Sequence, residues 1–216
     1  IRDLRRLIYC GEWIESHVLH IAMLHLPDFL GLDDALALAR TDAAVVEQAL
    51  KLKQVGNRIL ETVGGRAVHP VNLKVGGFYR APTKAEIRAL VAPLEWAIEA
   101  TLGLLRFLGR LEIPAFEDDY VLVALVHGDE YAMAEGRIVS TLGHDLEIAR
   151  FERHFGEEQV AHSMALQGVF RDDARPYLTG PLARYTLSYD RLSASAQTAA
   201  REAGLGRGCR NPFQSI

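Results

Sequence analysis

The chain has 216 residues, of which 49% are apolar and 24% charged, and it carries a net charge of −4 at neutral pH. This composition favours a folded domain with a substantial core, and the absence of a basic run argues against nucleic-acid binding. No apolar run is long enough to cross a bilayer. The two cysteines, Cys10 and Cys209, are too few for a disulfide framework, so a reducing cytoplasm is expected.

The first segment, from about Asp3 to Leu30, is predicted to be helical, with the helix ending before Pro27. Steps of three and four residues place one set of side chains on a shared face: Arg6, Cys10, Trp13, His17, His20 and Leu24. Two histidines one turn apart can bind zinc or nickel. The alternative is that His17 and His20 hydrogen-bond to neighbouring backbone, as half-buried histidines often do.

A second long helix is predicted from its N-cap, Asp42, to about Val63. Its apolar stripe is expected in the core and comprises Val45, Ala49, Leu52, Val55 and Ile59. Gly64 is placed to end this helix.

The stretch that follows, residues 64–82, contains two glycine pairs and a His-Pro step. Glycine pairs allow positive φ and close backbone approach, whereas Pro70 favours an extended conformation for His69. The pattern predicts a rigid connector that holds one imidazole in a set direction. An ordinary loop between helices is the alternative.

Beyond this connector, Thr83 and Glu86 form a capping-box pattern. The helix that it opens is predicted to reach about Phe107. Pro93 should kink or divide this helix, and Trp96 is its largest candidate for burial.

From Ile113 the pattern changes to short β-rich runs, and strands are predicted at residues 120–126, 131–134 and 137–141. A rigid turn at residues 180–185 is expected to present Arg184. A further helix is predicted after Ser193, ending at Gly204. The predicted fold class is therefore mainly α with a small antiparallel β insertion, an α+β arrangement.

Six short stretches, taken in order, resemble one family. They read L-R-R-L at residues 4–7, S-H-V-L-H at 16–20, P-D at 27–28, G-G-R-x-V-H-P-V-N-x-x-V-G-G at 64–77, G-P-L-A-R-Y at 180–185 and N-P-F-x-S-I at 211–216. Each stretch is weak alone, but the ordered set is similar to the large (alpha) subunit of nickel-iron hydrogenases. The similarity is greatest to the cytoplasmic branch linked to NAD(P) or sulfur, and it extends over essentially the whole chain.

The resemblance implies a mainly helical large subunit that pairs with an iron–sulfur small subunit, and in some members with diaphorase-type subunits. In that family a nickel-iron centre with CO and cyanide ligands cleaves H2, and the electrons pass through the small subunit to NAD(P), sulfur or polysulfide. Cysteine thiolates from two C-x-x-C motifs hold the metals. This chain contains no C-x-x-C, and thiolate softness is what selects such a centre.

We therefore expect the chain to be the middle of a large subunit, between the two ligand motifs, and its start at Ile1 without a methionine agrees with this. The chain alone is predicted to carry no catalytic residue, metal or cofactor and to be inactive. The expected organisation is a helical part at 1–112, a β-rich insertion at 113–184 and a return to the helical part at 185–216, within one domain.

The resemblance also implies roles for residues. The contact with the small subunit, near its proximal cluster, matches His69, Pro70, Arg66, Gly76 and Gly77. A helix behind the active site matches Ser16, His17 and His20, and Arg184 matches a structural position. No nucleic acid and no membrane span are expected, and the surface that meets the small subunit should let the chain self-associate.

Two alternatives remain open from the residues. One is a hydrogenase-like subunit that has lost the metal, as in the quinone-reducing respiratory complex. The other is a helical domain that binds partner proteins.

Overall fold

The computed structural model describes residues 1–215 and divides the chain into two compact units, Ile1–Glu112 and Ile113–Ile216. Helices account for 51% of the residues and the sheets are small and antiparallel, which confirms the predicted fold class. Across residues 1–215, no helix combines the length and apolar character needed to cross a membrane.

The first unit is helical apart from one short hairpin. Its elements are α1 (Arg2–Leu19), a π-helical turn (His20–His25), α2 (Leu26–Phe29), α3 (Ala35–Thr41), α4 (Ala43–Gly64), β1 (Leu73–Lys74), β2 (Gly77–Phe78), α5 (Lys84–Arg88) and α6 (Val91–Leu108). Buried aliphatic residues of α1, α4 and α6 form its core, among them Val18, Leu52, Ile59 and Ala97.

The prediction that the first helix ends before Pro27 is wrong. The backbone stays helical through Phe29 because a π-helical turn follows α1, in which the Leu26 N–H donates to the Ile21 carbonyl, five residues back. This turn resets the hydrogen-bond register, so Pro27 falls in the first turn of α2, where an N–H needs no helical partner.

Two glycines set how closely α1 and α4 pack. A Cβ built on Gly11 would lie 2.8 Å from the Ile59 Cβ, and one built on Gly56 would lie 2.7 Å from both the Glu15 nitrogen and the Gly11 carbonyl oxygen. Any side chain at either position would therefore push the two backbones apart.

The predicted α4 is confirmed in most respects. The Asp42 side chain accepts from the Val45 N–H at 3.2 Å, and the expected stripe is buried except for Val45, which is half-buried. The end lies one residue later than predicted: Gly64 is still helical and Gly65 takes the left-handed conformation at φ +81°. Gly64 serves packing instead, since its Cβ would lie 2.7 Å from the Pro70 Cβ.

The capping box is present, with Thr83 and Glu86 each bonding to the backbone of the other. The helix that follows is divided, as predicted, but the break falls at Ala89–Leu90, and Pro93 lies in the first turn of α6. Trp96 is only half-buried, contrary to prediction, and the Lys51 ammonium lies 4.0 Å from the centroid of its ring.

The second unit combines two small sheets with helices. Its elements are β3 (Val123–Val126), β4 (Arg137–Ser140), β5 (Asp145–Glu147), α7 (Phe151–His154), β6 (Phe155–Glu158), β7 (Gln167–Phe170), α8 (Pro181–Ser188) and α9 (Ala194–Glu202). Strands β3, β4 and β5 form one antiparallel sheet in that order, and β6 pairs with β7. Phe155 and Phe170 are buried at the centre of an aromatic cluster that also contains Tyr177.

Two predictions for this unit are wrong. Residues 131–134 form no strand: the Tyr131 hydroxyl hydrogen-bonds to Arg184, and Gly136, at φ +145°, brings the backbone against the Val126 carbonyl. Residues 180–185 are not a free-standing turn, because Pro181 begins α8. The predicted last helix is confirmed, with Ser193 as its N-cap and Gly204 at φ +76° just after it.

Candidate functional site

The segment after α4, residues 64–82, which we call the histidine loop, begins with a closed ring. The Gly64 carbonyl accepts from the Val71 N–H at 2.9 Å and from the Asn72 N–H at 2.8 Å. Gly65 reverses the chain at φ +81°, a conformation that glycine adopts without strain. The chain from Gly65 to Pro70 therefore leaves and returns to one carbonyl at the end of α4.

Arg66 restrains the residues between the two ends of this ring. Its Nε–H is shared between the carbonyl oxygens of Val68, at 2.5 Å, and His69, at 3.1 Å. His69 lies at φ +52°, so the expected extended conformation is wrong. The preference imposed by Pro70 is local, and it is overridden where the backbone on both sides is fixed.

Asn72 closes the second half of the histidine loop, a role that the sequence interpretation missed. Its Nδ2 donates to the Val63 carbonyl at 2.8 Å and to the Arg80 carbonyl at 2.7 Å, and its Oδ1 accepts from the Arg80 N–H at 2.9 Å. Asn72 lies in the H-P-V-N stretch. Asparagine side chains often stabilise turns through hydrogen bonds to the backbone, so the residue type was the available signal.

Between these anchors lies the hairpin β1–β2. Lys74 pairs with Gly77, and Gly76 turns the chain at φ +82°. Val75 and Gly76 therefore form the hairpin turn, with Val75 fully exposed at its tip, and Gly77 begins β2.

The end of the histidine loop is fixed to α5 by charge. Arg80 binds both carboxylate oxygens of Glu86, at 3.1 and 2.9 Å. The hydrogen bond from Arg80, followed by those from the backbone and side chain of Thr83, lowers the pKa of Glu86 to about 2. The same carboxylate accepts from the Thr83 N–H at 2.7 Å, so the capping box and the loop share one anchor.

The histidine loop presents an exposed imidazole amid exposed apolar side chains. His69 is exposed, and so are Val68 at 57%, Val71 at 58% and Tyr79 at 72%. Beside them, the hairpin, α1 and the end of α4 line a cavity of about 420 Å³ with an apolar floor. Exposed apolar surface in a rigid segment is typical of a protein–protein contact.

The structure places the predicted histidines of the first helix on its half-exposed side. The buried face of α1 and the π-helical turn carries Ile8, Gly11, Val18 and Ala22 instead. His17 stacks on Trp13 with ring centroids 5.8 Å apart, and the exposed His20 bonds through Nδ1 to the Ser16 carbonyl at 2.7 Å. For His20 this is the backbone hydrogen bond that the sequence left as the alternative.

Arg184 lies half-buried in α8 and hydrogen-bonds to the Tyr131 hydroxyl. Burial raises the pKa of Tyr131, and the charge and hydrogen bond of Arg184 partly offset that rise. Both residues belong to the second unit, so this contact joins α8 to the loop between β3 and β4.

The fold of the chain is that of a nickel-iron hydrogenase large subunit. It superimposes on the crystal structure of an NAD+-reducing NiFe-hydrogenase in the H2-reduced state with a TM-score of 0.81, at 21% identity, over 93% of this chain and 50% of that chain. A NiFeSe-hydrogenase from Dm. baculatum matches with a TM-score of 0.55 at 18% identity, over 94% and 53% of the two chains. At these identities the matches establish the fold alone.

Sequence relatives are hydrogenase alpha subunits. The chain is 29% identical over 199 residues to sulfhydrogenase 1 subunit alpha of Pyrococcus furiosus, covering 91% of this chain and 46% of that subunit. It is 30% identical over 210 residues to sulfhydrogenase 2 subunit alpha of the same organism, covering 94% and 46%. No family model matches. The chain is a homologue of hydrogenase alpha subunits and spans about half the length of the curated relatives it matches, which confirms the resemblance seen in the sequence.

Proposed function

We propose that this chain is a scaffold portion of the large subunit of a nickel-iron hydrogenase that oxidises H2 reversibly in a complex with an iron–sulfur small subunit. The observation that carries the proposal is the extent of the sequence match: more than nine-tenths of the chain aligns with hydrogenase alpha subunits. The match to the large-subunit fold over 93% of the chain supports it independently of sequence identity.

The residues present do not fit a nickel-iron centre. Such a centre needs four thiolates by the family resemblance, and the chain has two cysteines. Burial raises the pKa of the Cys10 thiol, an effect that Arg6 reduces, and burial also raises the pKa of Cys209. A raised pKa disfavours the thiolate, which is the form that binds metal. Within residues 1–215, no three histidine, cysteine or carboxylate side chains lie together in a group that could hold a metal ion.

The names of the relatives support the finer parts of the proposal. Two relatives are sulfhydrogenases, and the structural neighbour with a TM-score of 0.81 reduces NAD+. We therefore assign sulfur, polysulfide or NAD(P) as the electron acceptor of the complex and diaphorase-type subunits as further partners. The proposal of a cytoplasmic location rests on the two widely separated cysteines. The two relatives from Pyrococcus furiosus are named as hydrogenase alpha subunits, which supports this assignment over a metal-free respiratory subunit and over a simple interaction domain.

Within this assignment, the histidine loop is the surface that contacts the small subunit. Its exposed imidazole and apolar side chains, held by Arg66 and Asn72, support that role. We propose that His69 donates a hydrogen bond toward an iron–sulfur cluster in this contact. Ser16, His17 and His20 are assigned to the helix behind the active site. Arg184 is assigned a structural role, which its bond to Tyr131 supports.

Metal analysis and a hydrogen-uptake assay test the proposal. The purified chain should contain no stoichiometric nickel or iron and should not reduce methyl viologen with H2. It should bind a hydrogenase iron–sulfur small subunit from the same genome, and should self-associate in its absence. Stoichiometric nickel, or turnover by the chain alone, would contradict the scaffold assignment, and failure to bind any such subunit would contradict the partner.

A further inference from the structure

We propose that Arg66 is the positioning residue of the histidine loop: its guanidinium holds His69 in the left-handed conformation and so sets the direction in which the imidazole leaves the surface. The conformational part stands on the structure of the histidine loop alone. The consequence for binding rests on the proposed function, because it takes the iron–sulfur small subunit as the partner.

The backbone of His69 needs an external restraint. A residue other than glycine rarely adopts φ near +52°, and the residue before a proline is further restricted toward extended conformations. In the absence of a restraint, His69 would therefore relax to an extended backbone, as its sequence context predicts. Such a change at one residue redirects its side chain.

Arg66 supplies the restraint. The Arg66 Nε–H donates to the Val68 and His69 carbonyls. Within the described residues, 66–70 make no hydrogen bonds other than these two. The next bonds in either direction are those at Gly65, to Glu61, and at Val71, to Gly64. The ends of the ring are therefore held by the backbone, and its interior is held by one side chain.

The geometry requires a guanidinium. The Nε–H is fixed in the guanidinium plane three carbons from the backbone, and a single N–H in that place reaches two consecutive carbonyls. A lysine ammonium lies one atom further out on a flexible stem and cannot hold that direction. Arg66→Lys keeps the charge and should lose most of the restraint.

The first experiment reads the backbone directly. The chain contains eight histidines, so selective ¹³Cα labelling of histidine gives a simple spectrum of the whole 216-residue chain. In Arg66→Met the His69 Cα resonance should move toward the extended range, and the Val71 amide should exchange at least tenfold faster. Arg58→Met, an exposed arginine of α4, is the matched control and should change neither. An unchanged His69 resonance in Arg66→Met would overturn the proposal, whatever the partner.

The second experiment separates positioning from general support. Because glycine tolerates positive φ, His69→Gly should remove the need for the restraint. Arg66→Met added to His69→Gly should then leave Val71 exchange nearly unchanged, whereas equal acceleration in both backgrounds would contradict positioning. If Arg66→Met does not fold, Arg66→Lys provides the same comparison.

The third experiment connects the loop to its partner by titration calorimetry with the iron–sulfur small subunit. Arg66→Met should weaken binding at least tenfold with an unchanged unfolding midpoint, and should add nothing in the His69→Gly background. If the small subunit binds the unmodified chain and Arg66→Met equally well, the docking consequence is wrong. If it binds neither, the proposed function fails, while the resonance of His69 still decides the role of Arg66.

Discussion

The helical unit and the β-rich unit build their cores in different ways. In residues 1–112, the backbones of α1 and α4 meet at Gly11 and Gly56, and the core is aliphatic. In residues 113–216, strands of two small antiparallel sheets contribute to a cluster of rings centred on Phe155 and Phe170.

The difference teaches where each unit is vulnerable. Backbone contact in the helical unit cannot adjust to any added atom, because neither partner is the end of a flexible side chain. In the β-rich unit buried rings form the core, so removing a ring leaves a cavity there. The histidine loop belongs to neither type, since side chains bonded to backbone carbonyls hold it.

The largest expected effect is in the ring cluster. Phe155→Ala should lower the free energy of unfolding by about 3–5 kcal/mol, because Phe155 is fully buried against Phe170 and Tyr177. Urea denaturation monitored at the β6 and β7 amides measures it. Phe151, which stacks on Phe155 at 4.9 Å but is 47% exposed, is the matched control, and Phe151→Ala should cost clearly less. Equal losses would mean that the cluster is not the core of this unit.

The second test adds one methyl group to the helix crossing. Gly56→Ala should destabilise the helical unit by about 3 kcal/mol, because its Cβ would lie 2.7 Å from backbone atoms of α1. Gly103→Ala in α6 is the matched control: its Cβ would meet only the Gln48 Nε2, at 3.8 Å, so it should stabilise by about 1 kcal/mol through helix propensity. If thermal unfolding showed that both substitutions stabilise the chain, or that both destabilise it, the close crossing of α1 and α4 would be refuted.

The third test removes the anchor of the histidine loop. Asn72→Ala should cost about 2 kcal/mol, because it leaves the Val63 and Arg80 carbonyls and the Arg80 N–H without their side-chain partner. Amide exchange at Arg80 should speed up, whereas Val75→Ala at the exposed hairpin tip should leave it unchanged. Protection of Arg80 that survives in Asn72→Ala would show that the hairpin holds itself.

The smallest effect is a pH dependence at the end of the loop. The folded pKa of Glu86 is about 2, below the ordinary value of 4.5. The contribution of its contact with Arg80 is therefore present above pH 4.5 and is lost as the pH falls toward 2. A ¹³C titration of the Glu86 carboxylate should give a midpoint near 2, and Arg80→Met should raise it. Arg88→Met, on the same helix as Glu86, should leave this midpoint unchanged. A midpoint near 4.5 in the unmodified chain would contradict the ion pair.

Much of the helical unit could be predicted because its signals are local. Asp42 and Thr83 each cap a helix through a backbone N–H three residues on, as Ser193 does in the other unit, and such a contact can be read from residue type and spacing. The candidate site was predictable in position for a similar reason, since glycine pairs and prolines interrupt helical patterns wherever they occur.

The β-rich unit was predicted less well because its determinants are long-range. Residues 131–134 have the composition of a strand, yet they form a loop in which Tyr131 contacts Arg184, more than fifty residues further along the chain. Strands β6 and β7 were not foreseen individually, since a strand is defined by the partner that it pairs with.

By itself, the sequence determined α4 and α9, the caps Asp42, Thr83 and Ser193, the place of the histidine loop and, through six ordered stretches, the resemblance to hydrogenase large subunits. Only the tertiary structure decided the π-helical turn before Pro27, the left-handed conformation of His69 and the bonds of Asn72. A residue follows its local conformational preference unless hydrogen bonds to surrounding carbonyls and side chains stabilise another conformation more strongly. The tertiary fold decides which of these groups lie close to the residue.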